Sequence, residues 1–452
     1  MSDRAGPASP EEHDFTQHPH RTMWWLSVPM VGSLVAEPLT GIVDSLLIAR
    51  LGASPLAALG VAVPLMSMLL FAFNFLGIGT QTLVAKALGE GRRDRAAETT
   101  GLAMGLGLGF GAALALIGEL SAEAAANWMG AEGTTLEGAL AYLRIRLVGA
   151  PAVLLTMAAF GALRGVQDVR TPLWIAIATN VANLALDVVL IFGVGPFPRL
   201  EIVGAAWAST IAQWLGAAIA LHAVVAKLGP TRRIVWARTG QLLIVGRDLF
   251  MRSAMLLVFV TLAGRAAMRI GTDAGAAHTL IRSVWMLAAF LLDAYAIVAQ
   301  SLIGYFAGAG RSDLARRVAR VCLEWSVATG VAAAALMLLG TPWLLAALPE
   351  SARPLAGGAW TIAALSQPFN AVSFGTDGIH WGTGDYRFLR NAMLISTGTG
   401  AALLLALDAS GRSSLEGVWI VTTLWIVLRG GAGTLRIWPG IGRAPLRKRG
   451  AG

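Results

Sequence analysis

Apolar residues run along this chain in long stretches, each more than twenty residues, parted by short polar or glycine-rich breaks. About 20 such residues carry an α-helix across a bilayer. The runs are continuous, whereas a membrane barrel strand alternates at every second position. The pattern predicts an all-α polytopic membrane protein with twelve transmembrane helices. They fall near 22–49, 56–86, 96–120, 136–162, 171–193, 203–227, 241–270, 276–307, 314–347, 353–381, 387–408 and 416–438. The breaks carry turn chemistry, as in Gly89-Glu90-Gly91, Gly193 to Pro198, Gly229-Pro230 and Pro349.

Charge orients these spans. One set of breaks holds Arg92, Arg93 and Arg95; Arg164 and Arg170; Arg232, Arg233 and Arg238; Arg311, Arg316 and Arg317; and Arg387 and Arg390. The C-terminal stretch adds Arg443, Arg447, Lys448 and Arg449. The connection between the third and fourth spans instead has Glu119, Glu123, Glu132 and Glu137. The positive-inside rule then puts both termini in the cytoplasm of a cell bounded by this membrane. Residues 1–21 are polar and lack the basic start of a secretion signal, so a disordered cytoplasmic tail is expected there. His13, His18 and His20 read as solvated residues of that tail, not as metal ligands.

The chain has 452 residues, 56% of them hydrophobic and 13% charged, with mean hydropathy +0.65. That composition excludes a soluble protein. The net charge of +9 is spread over short loops, so no nucleic-acid partner is expected. The single Cys322 cannot form an intrachain disulfide and reads as a small buried hydrophobe. No HExxH or GxSxG occurs in the spans, so no enzyme, catalytic residue, metal centre or cofactor is expected.

The two halves match without a gap at an offset of 219 residues. Arg50 falls on Arg269, Gly52 on Gly271 and Gln81 on Gln300, and GEGRRD (89–94) falls on GAGRSD (308–313). Gly165-Val-Gln-Asp168 matches Gly382-Thr-Gly-Asp385 at a nearby offset. Each half has six spans, so both start on the same side and form a parallel repeat, a plan typical of secondary transporters. The expected organisation is a tail at 1–21, a six-helix lobe at 22–229, a cytoplasmic linker at 230–240, a second six-helix lobe at 241–438 and a basic tail at 439–452.

Against this apolar background the acids stand out. Glu37 and Asp44 lie seven residues apart in the first span, two helical turns, hence on one face. An acid at mid-membrane costs about 2.5–3.5 kcal/mol on insertion scales, and a chain keeps one for an ion, a proton or a cationic ligand. Asp187 lies one turn from Asn183 and faces either this site or an Arg partner, Arg144 or Arg146. Glu37 precedes Pro38, whose missing N–H frees a carbonyl, so a protonated Glu37 has a structural use as well. Thr40, and Ser209 or Thr210, are candidates for further oxygen ligands. In the second half Asp293 is expected to pair with Arg265 or Arg269 and Asp377 to pack loops, with cleft lining as the alternative for both. Trp285 and Phe369 are candidates to stack on a flat cation.

An ordered set of motifs carries a family resemblance. Pro29 and Glu37-Pro-Leu-Thr-Gly-Ile-Val-Asp44 are followed by Arg50-Leu-Gly-Ala-Ser-Pro-Leu-Ala-Ala-Leu-Gly60 and Gly89-Glu-Gly-Arg-Arg93. Ala162-Leu-Arg-Gly-Val-Gln-Asp168, Thr171-Pro172, Asn183-Leu-Ala-Leu-Asp187 and Gly204-Ala-Ala-Trp-Ala208 come next. Over residues 22–438 the chain resembles multidrug and toxic compound extrusion (MATE) transporters of the DinF-like branch. The resemblance implies two six-helix lobes in a V around a cleft, and export of organic, often cationic, compounds in exchange for H⁺ or Na⁺. It implies a coupling site in the first lobe at Asp44, Asn183 and Asp187, and helix bending at Pro29; Pro38 is a second candidate hinge. Many members carry Gln where this chain has Glu37, and that extra acid favours H⁺ over Na⁺. The implied partners are a small organic substrate and the lipid bilayer of the inner membrane, with the chain a monomer. The rival within membrane proteins is a flippase of lipid-linked oligosaccharide, which needs a cationic cavity; the acid stripe argues against it.

Overall fold

The structure, a computed structural model, describes residues 10–231, 235, 237, 239–411, 413–442 and 444–446; the side chains of Glu37 and Gln241 also lie outside the described set. Every element of regular structure among these residues is helical. The contacts divide the chain into two compact units, Val28–Gly246 and Met1–Ser27 with Arg247–Gly452.

The unit Val28–Gly246 is built on helices α2 (Pro19–Ala49), α3 (Ala53–Phe71), α4 (Phe75–Gly89), α5 (Arg93–Trp128), α6 (Gly133–Val148), α7 (Ala150–Gly165), α8 (Arg170–Phe192) and α9 (Glu201–Leu228). The other unit begins with the short α1 (Asp14–Gln17) and continues from within α10 (Thr239–Ile270). Its remaining helices are α11 (Thr272–Gly308), α12 (Ser312–Leu339), α13 (Thr341–Ala347), α14 (Arg353–Leu365), α15 (Gln367–Thr383), α16 (Tyr386–Ala409) and α17 (Leu415–Ile437). Nine helical stretches among the described residues are long and apolar enough to cross a membrane, and the bent pair α6–α7 makes a tenth. The polar-bearing α10 and the pair α14–α15 complete twelve spans in two sets of six.

The fourth span of each set is broken, a feature the apolar pattern hides. Pro151 and Pro368 each fall at the start of a new helix, where a residue without an N–H does least harm. Between α6 and α7 the chain bends by 48° at Gly149.

The repeat is visible in the backbone. Gly91 and Gly310 both take left-handed conformations, at φ +71° and +75°, which glycine adopts without the Cβ penalty. In each copy the following arginine N–H closes back onto a helix carbonyl, Arg92 to Ala87 at 2.8 Å and Arg311 to Phe306 at 2.9 Å. Packing is repeated too. A Cβ on Gly161 would lie 2.3 Å from the Gly77 carbonyl oxygen, and one on Gly378 would lie 2.3 Å from that of Ala296. These glycines let α7 meet α4, and α15 meet α11, backbone to backbone.

The N-terminal stretch differs from expectation. Of the polar tail expected at 1–21, the part from residue 10 onward is folded, and it packs with the second half of the chain. Phe15 is fully buried, 5.9 Å between ring centroids from Phe306, and His13 lies against Tyr305 and Phe306. Arg311 reaches Glu11, and Arg317 donates to the Thr16 carbonyl. Two aromatic anchors in a polar segment outweigh its low overall hydropathy. The unit boundaries, at Ser27/Val28 and Gly246/Arg247, accordingly lie inside helices α2 and α10, apart from the expected bounds at 21/22 and 230–240. Cys322 is buried, its thiol toward the Tyr295 carbonyl.

Candidate functional site

In the unit Val28–Gly246, helices α2, α6, α8 and α9 bring polar side chains to one point. Asp44 comes from the last turns of α2. Asn183 and Asp187 come from one face of α8, 3% and 0% exposed. Asn183 Nδ2 donates to Asp187 Oδ2 at 3.0 Å and lies 3.5 Å from Ser209 Oγ on α9. The Asp44 and Asp187 carboxyls lie close enough to act on each other electrostatically. A hydrogen bond between two carboxyls needs one proton between them, because an ionised carboxylate only accepts. Oδ1 of Asp44 and Oδ1 of Asp187 are both buried and have no hydrogen-bond partner among the described residues.

Two residues of α6 complete the site. Arg146 acts on both carboxyls across the bundle, and its Nη1 is buried without a hydrogen-bond partner among the described residues. Tyr142, one turn earlier and 3% exposed, faces the same acids and reaches Ser209. Arg144 points elsewhere, to Glu119 at 3.0 Å. Tyr142 went unflagged from sequence because an aromatic in a membrane helix is ordinary. Arg146 was visible only as a rival partner for Asp187; it joins the cluster instead.

The break after α6 aims these side chains. Gly149 N–H bonds to the Arg146 carbonyl at 3.0 Å rather than one turn back to Ile145. The freed Ile145 carbonyl accepts from Thr210 Oγ1 at 3.1 Å, and the Val148 carbonyl accepts from Trp214 Nε1 at 3.2 Å. Thr210, expected as a site ligand, therefore gives its hydroxyl proton to the break. Thr40 likewise donates within its own helix, to the Ala36 carbonyl at 3.1 Å. Asn180 of α8 donates to the same carbonyl at 2.9 Å and ties α2 to α8. Helix α2 runs through both Pro29 and Pro38. The expectation for the Glu37 carboxyl falls on a side chain outside the described residues.

In the second unit the acids find partners. Asp377, expected to pack loops, is 4% exposed inside the lobe and bonds Arg252 of α10 and, at 2.9 Å, Arg429 of α17. Arg269 pairs with Asp408 at 2.7 Å, and Asp293 is half-buried. Trp285 is buried in an apolar core, while Phe369 is half exposed.

Two repeated six-span sets, each a bundle of apolar helices, with one holding a close pair of acids, define a polytopic transporter rather than an enzyme. Comparison with known proteins gives its family. The MatE family model matches residues 29–189 and 249–405, one stretch in each half, and the chain belongs to this family of multidrug and toxic compound efflux transporters. It is 31% identical over 431 residues to the protein DETOXIFICATION 44, chloroplastic, of Arabidopsis thaliana, covering 91% of this chain and 81% of that one. It is 28% identical over 421 residues to DNA damage-inducible protein F of Escherichia coli (strain K12), covering 91% of this chain and 90% of that one. Its fold matches a crystal structure of MATE in the bent conformation, with TM-score 0.85 at 19% identity, over 92% of this chain and 94% of that chain.

Proposed function

We propose that this chain exports organic compounds in exchange for protons by alternating access, with Asp44 and Asp187 as the coupling site. The observation that carries this reading is the acid pair, Asp187 buried and Asp44 half-buried, with a buried oxygen on each carboxyl lacking a donor among the described residues. A proton shared by the pair supplies a missing donor directly. In the outward-open state the pair takes up H⁺; the neutral site lets α2 repack around Pro29 and Pro38, and substrate leaves. Release of H⁺ to the cytoplasm restores the charge and the affinity for the next substrate. Arg146 offsets one of the two negative charges, so a single proton makes the site neutral. An inward-moving charge gains about 2.3 kcal/mol per 100 mV of membrane potential. The cationic loops favour an inner-membrane location with both termini in the cytoplasm.

The test is efflux of a cationic dye from proteoliposomes under separately imposed H⁺ and Na⁺ gradients. A pH gradient alone should drive export, and Asp44→Asn or Asp187→Asn should abolish it while the protein stays folded. Drive by Na⁺ alone would reassign the ion, and wild-type export by either variant would sink the site.

A further inference from the structure

The second unit contains a buried polar tract of opposite charge to the acid pair. Gln367, Asn370, Ser373, Asp377 and His380 recur every three or four residues along α15, so they share one face. Each is at most 4% exposed. From Gln367 to Asp377 this face extends about 15 Å along the helix. Two guanidiniums close on it, Arg252 of α10 and Arg429 of α17, 7% and 5% exposed. Both bond the same oxygen, Asp377 Oδ2. They lie over indole rings, Arg252 5.1 Å from Trp381 and Arg429 4.4 Å from Trp425.

The charge here does not balance. Among the described residues two cations face one carboxylate, and the acids beside them are occupied: Asp385 by Arg436 at 2.8 Å, and Asp248 by Arg390 at 2.7 Å and Arg247 at 2.9 Å. The remaining titratable neighbour, His380, directs Nε2 to the Gly433 carbonyl at 3.3 Å and Nδ1 to Asp385 at 3.7 Å. Hydrogen bonds do not balance either. Nε of Arg252, Nε of Arg429, Gln367 Nε2, Asn370 Oδ1 and Ser373 Oγ are buried with no partner among the described residues. Interchanging the amide atoms of Gln367 or Asn370 leaves unmet groups all the same. Unmet polar groups and an unbalanced cation are costly inside a bilayer, so such a tract persists when something with acceptor atoms uses it.

We propose that the tract formed by Arg252, Arg429 and the polar face of α15 binds an anionic oxygen group, a carboxylate or phosphate, of the transported compound. Asp377 is the internal counter-ion that this group competes with, and Gln367, Asn370 and Ser373 receive the neutral polar part of the ligand. The inference rests on the export reading only for calling the ligand a substrate.

The test is equilibrium binding to the full chain in phosphatidylcholine nanodiscs, read by fluorescence polarisation. The probes are rhodamine 110, which carries a free carboxylate, and its methyl ester rhodamine 123. The carboxylate dye should bind at least about tenfold more tightly than the ester, the scale of one charge-assisted contact. Arg252→Gln and Arg429→Gln should each erase that preference, weakening carboxylate binding by at least about tenfold. Arg429→Lys keeps the charge and should retain part of the preference, which also controls for folding. Asp377→Asn removes the competitor and should tighten carboxylate binding, an effect that a purely structural ion cluster does not produce. Equal affinity for the two dyes, binding of neither, or a preference that survives both Gln variants would overturn the assignment. Nanodiscs containing phosphatidylglycerol separate the sources of the anionic group. Competition by that lipid means a headgroup phosphate reaches the arginines; its absence leaves a soluble substrate. No gradient enters the assay, so the outcome is independent of whether Asp44 and Asp187 couple export to protons.

Discussion

Asp168 closes the turn between α7 and α8, and its carboxylate accepts from Thr171 N–H at 3.0 Å and Thr171 Oγ1 at 2.7 Å, with Lys227 at 3.2 Å. Burial works against its charged form, but the Thr171 hydrogen bonds and the Lys227 ammonium outweigh burial and hold the carboxyl below its usual range. The unfolded chain therefore binds this proton more readily. The stabilisation is complete above about pH 3.9, the unfolded value, and fades as pH falls through the lower folded value. Asp168→Asn should cost about 1 kcal/mol at pH 7, as for loss of a cap, and the deficit should shrink in acid, as read by unfolding at both pH values. Asn183 is the corresponding test inside the membrane site. Asn183→Ala removes the donor on Asp187 Oδ2, and a buried acceptor left unmet costs about 1–3 kcal/mol. The expected result is a less stable protein with impaired export, measured by thermal unfolding and dye efflux. Asp44 and Asp187 were legible in the sequence because a carboxyl in an apolar run is an anomaly, and Asn183 because it lies one helical turn from Asp187. The tasks of Thr40 and Thr210 were not, because a hydroxyl reaches its own or a neighbouring helix carbonyl as easily as a ligand. The partners of Asp377 were hidden too, since Arg252 and Arg429 stand 125 and 52 residues from it along the chain.

At the scale of elements, hydrophobic runs located the twelve spans but not the breaks within them. Pro151 and Pro368 are the signals for those breaks, each following a small or polar residue near mid-span, and their equivalence in the two halves strengthens both. The glycines at helix crossings are sharper still. A side chain at Gly161 or Gly378 meets a backbone oxygen, which cannot swing aside as a side-chain tip can. Gly378→Ala should force α15 away from α11 and cost about 1–3 kcal/mol. Gly398, with open space around its Cβ position, is the control, and Gly398→Ala should be neutral or stabilising by helix propensity. Differential scanning of the two variants in detergent decides between these outcomes.

At the scale of the molecule, duplication preserved the connectors and crossings while the chemistry diverged. The loop at Gly91 and its copy at Gly310 keep one backbone shape. Yet Ala263 stands at the repeat position of Asp44, and the first unit gathers two acids about one arginine while the second gathers two arginines about one acid. A repeat read from glycine and arginine matches in sequence was thus a sound guide to architecture and no guide to polarity. Membership of the N-terminal stretch was also illegible, because its docking partners lie in the far half. Phe15→Ala should lower stability by about 3–5 kcal/mol, as for a fully buried phenylalanine, with the loss read by thermal unfolding.

That docking has a consequence for biosynthesis. Phe15 leaves the ribosome before its binding surface exists, because Tyr305 is made 290 residues later. At about 5–20 residues per second the segment waits about 15–60 s for its binding surface. During that interval its aromatic side chains are available to chaperones and to the membrane surface. Its docking then becomes a late event that reports that the second half has been inserted.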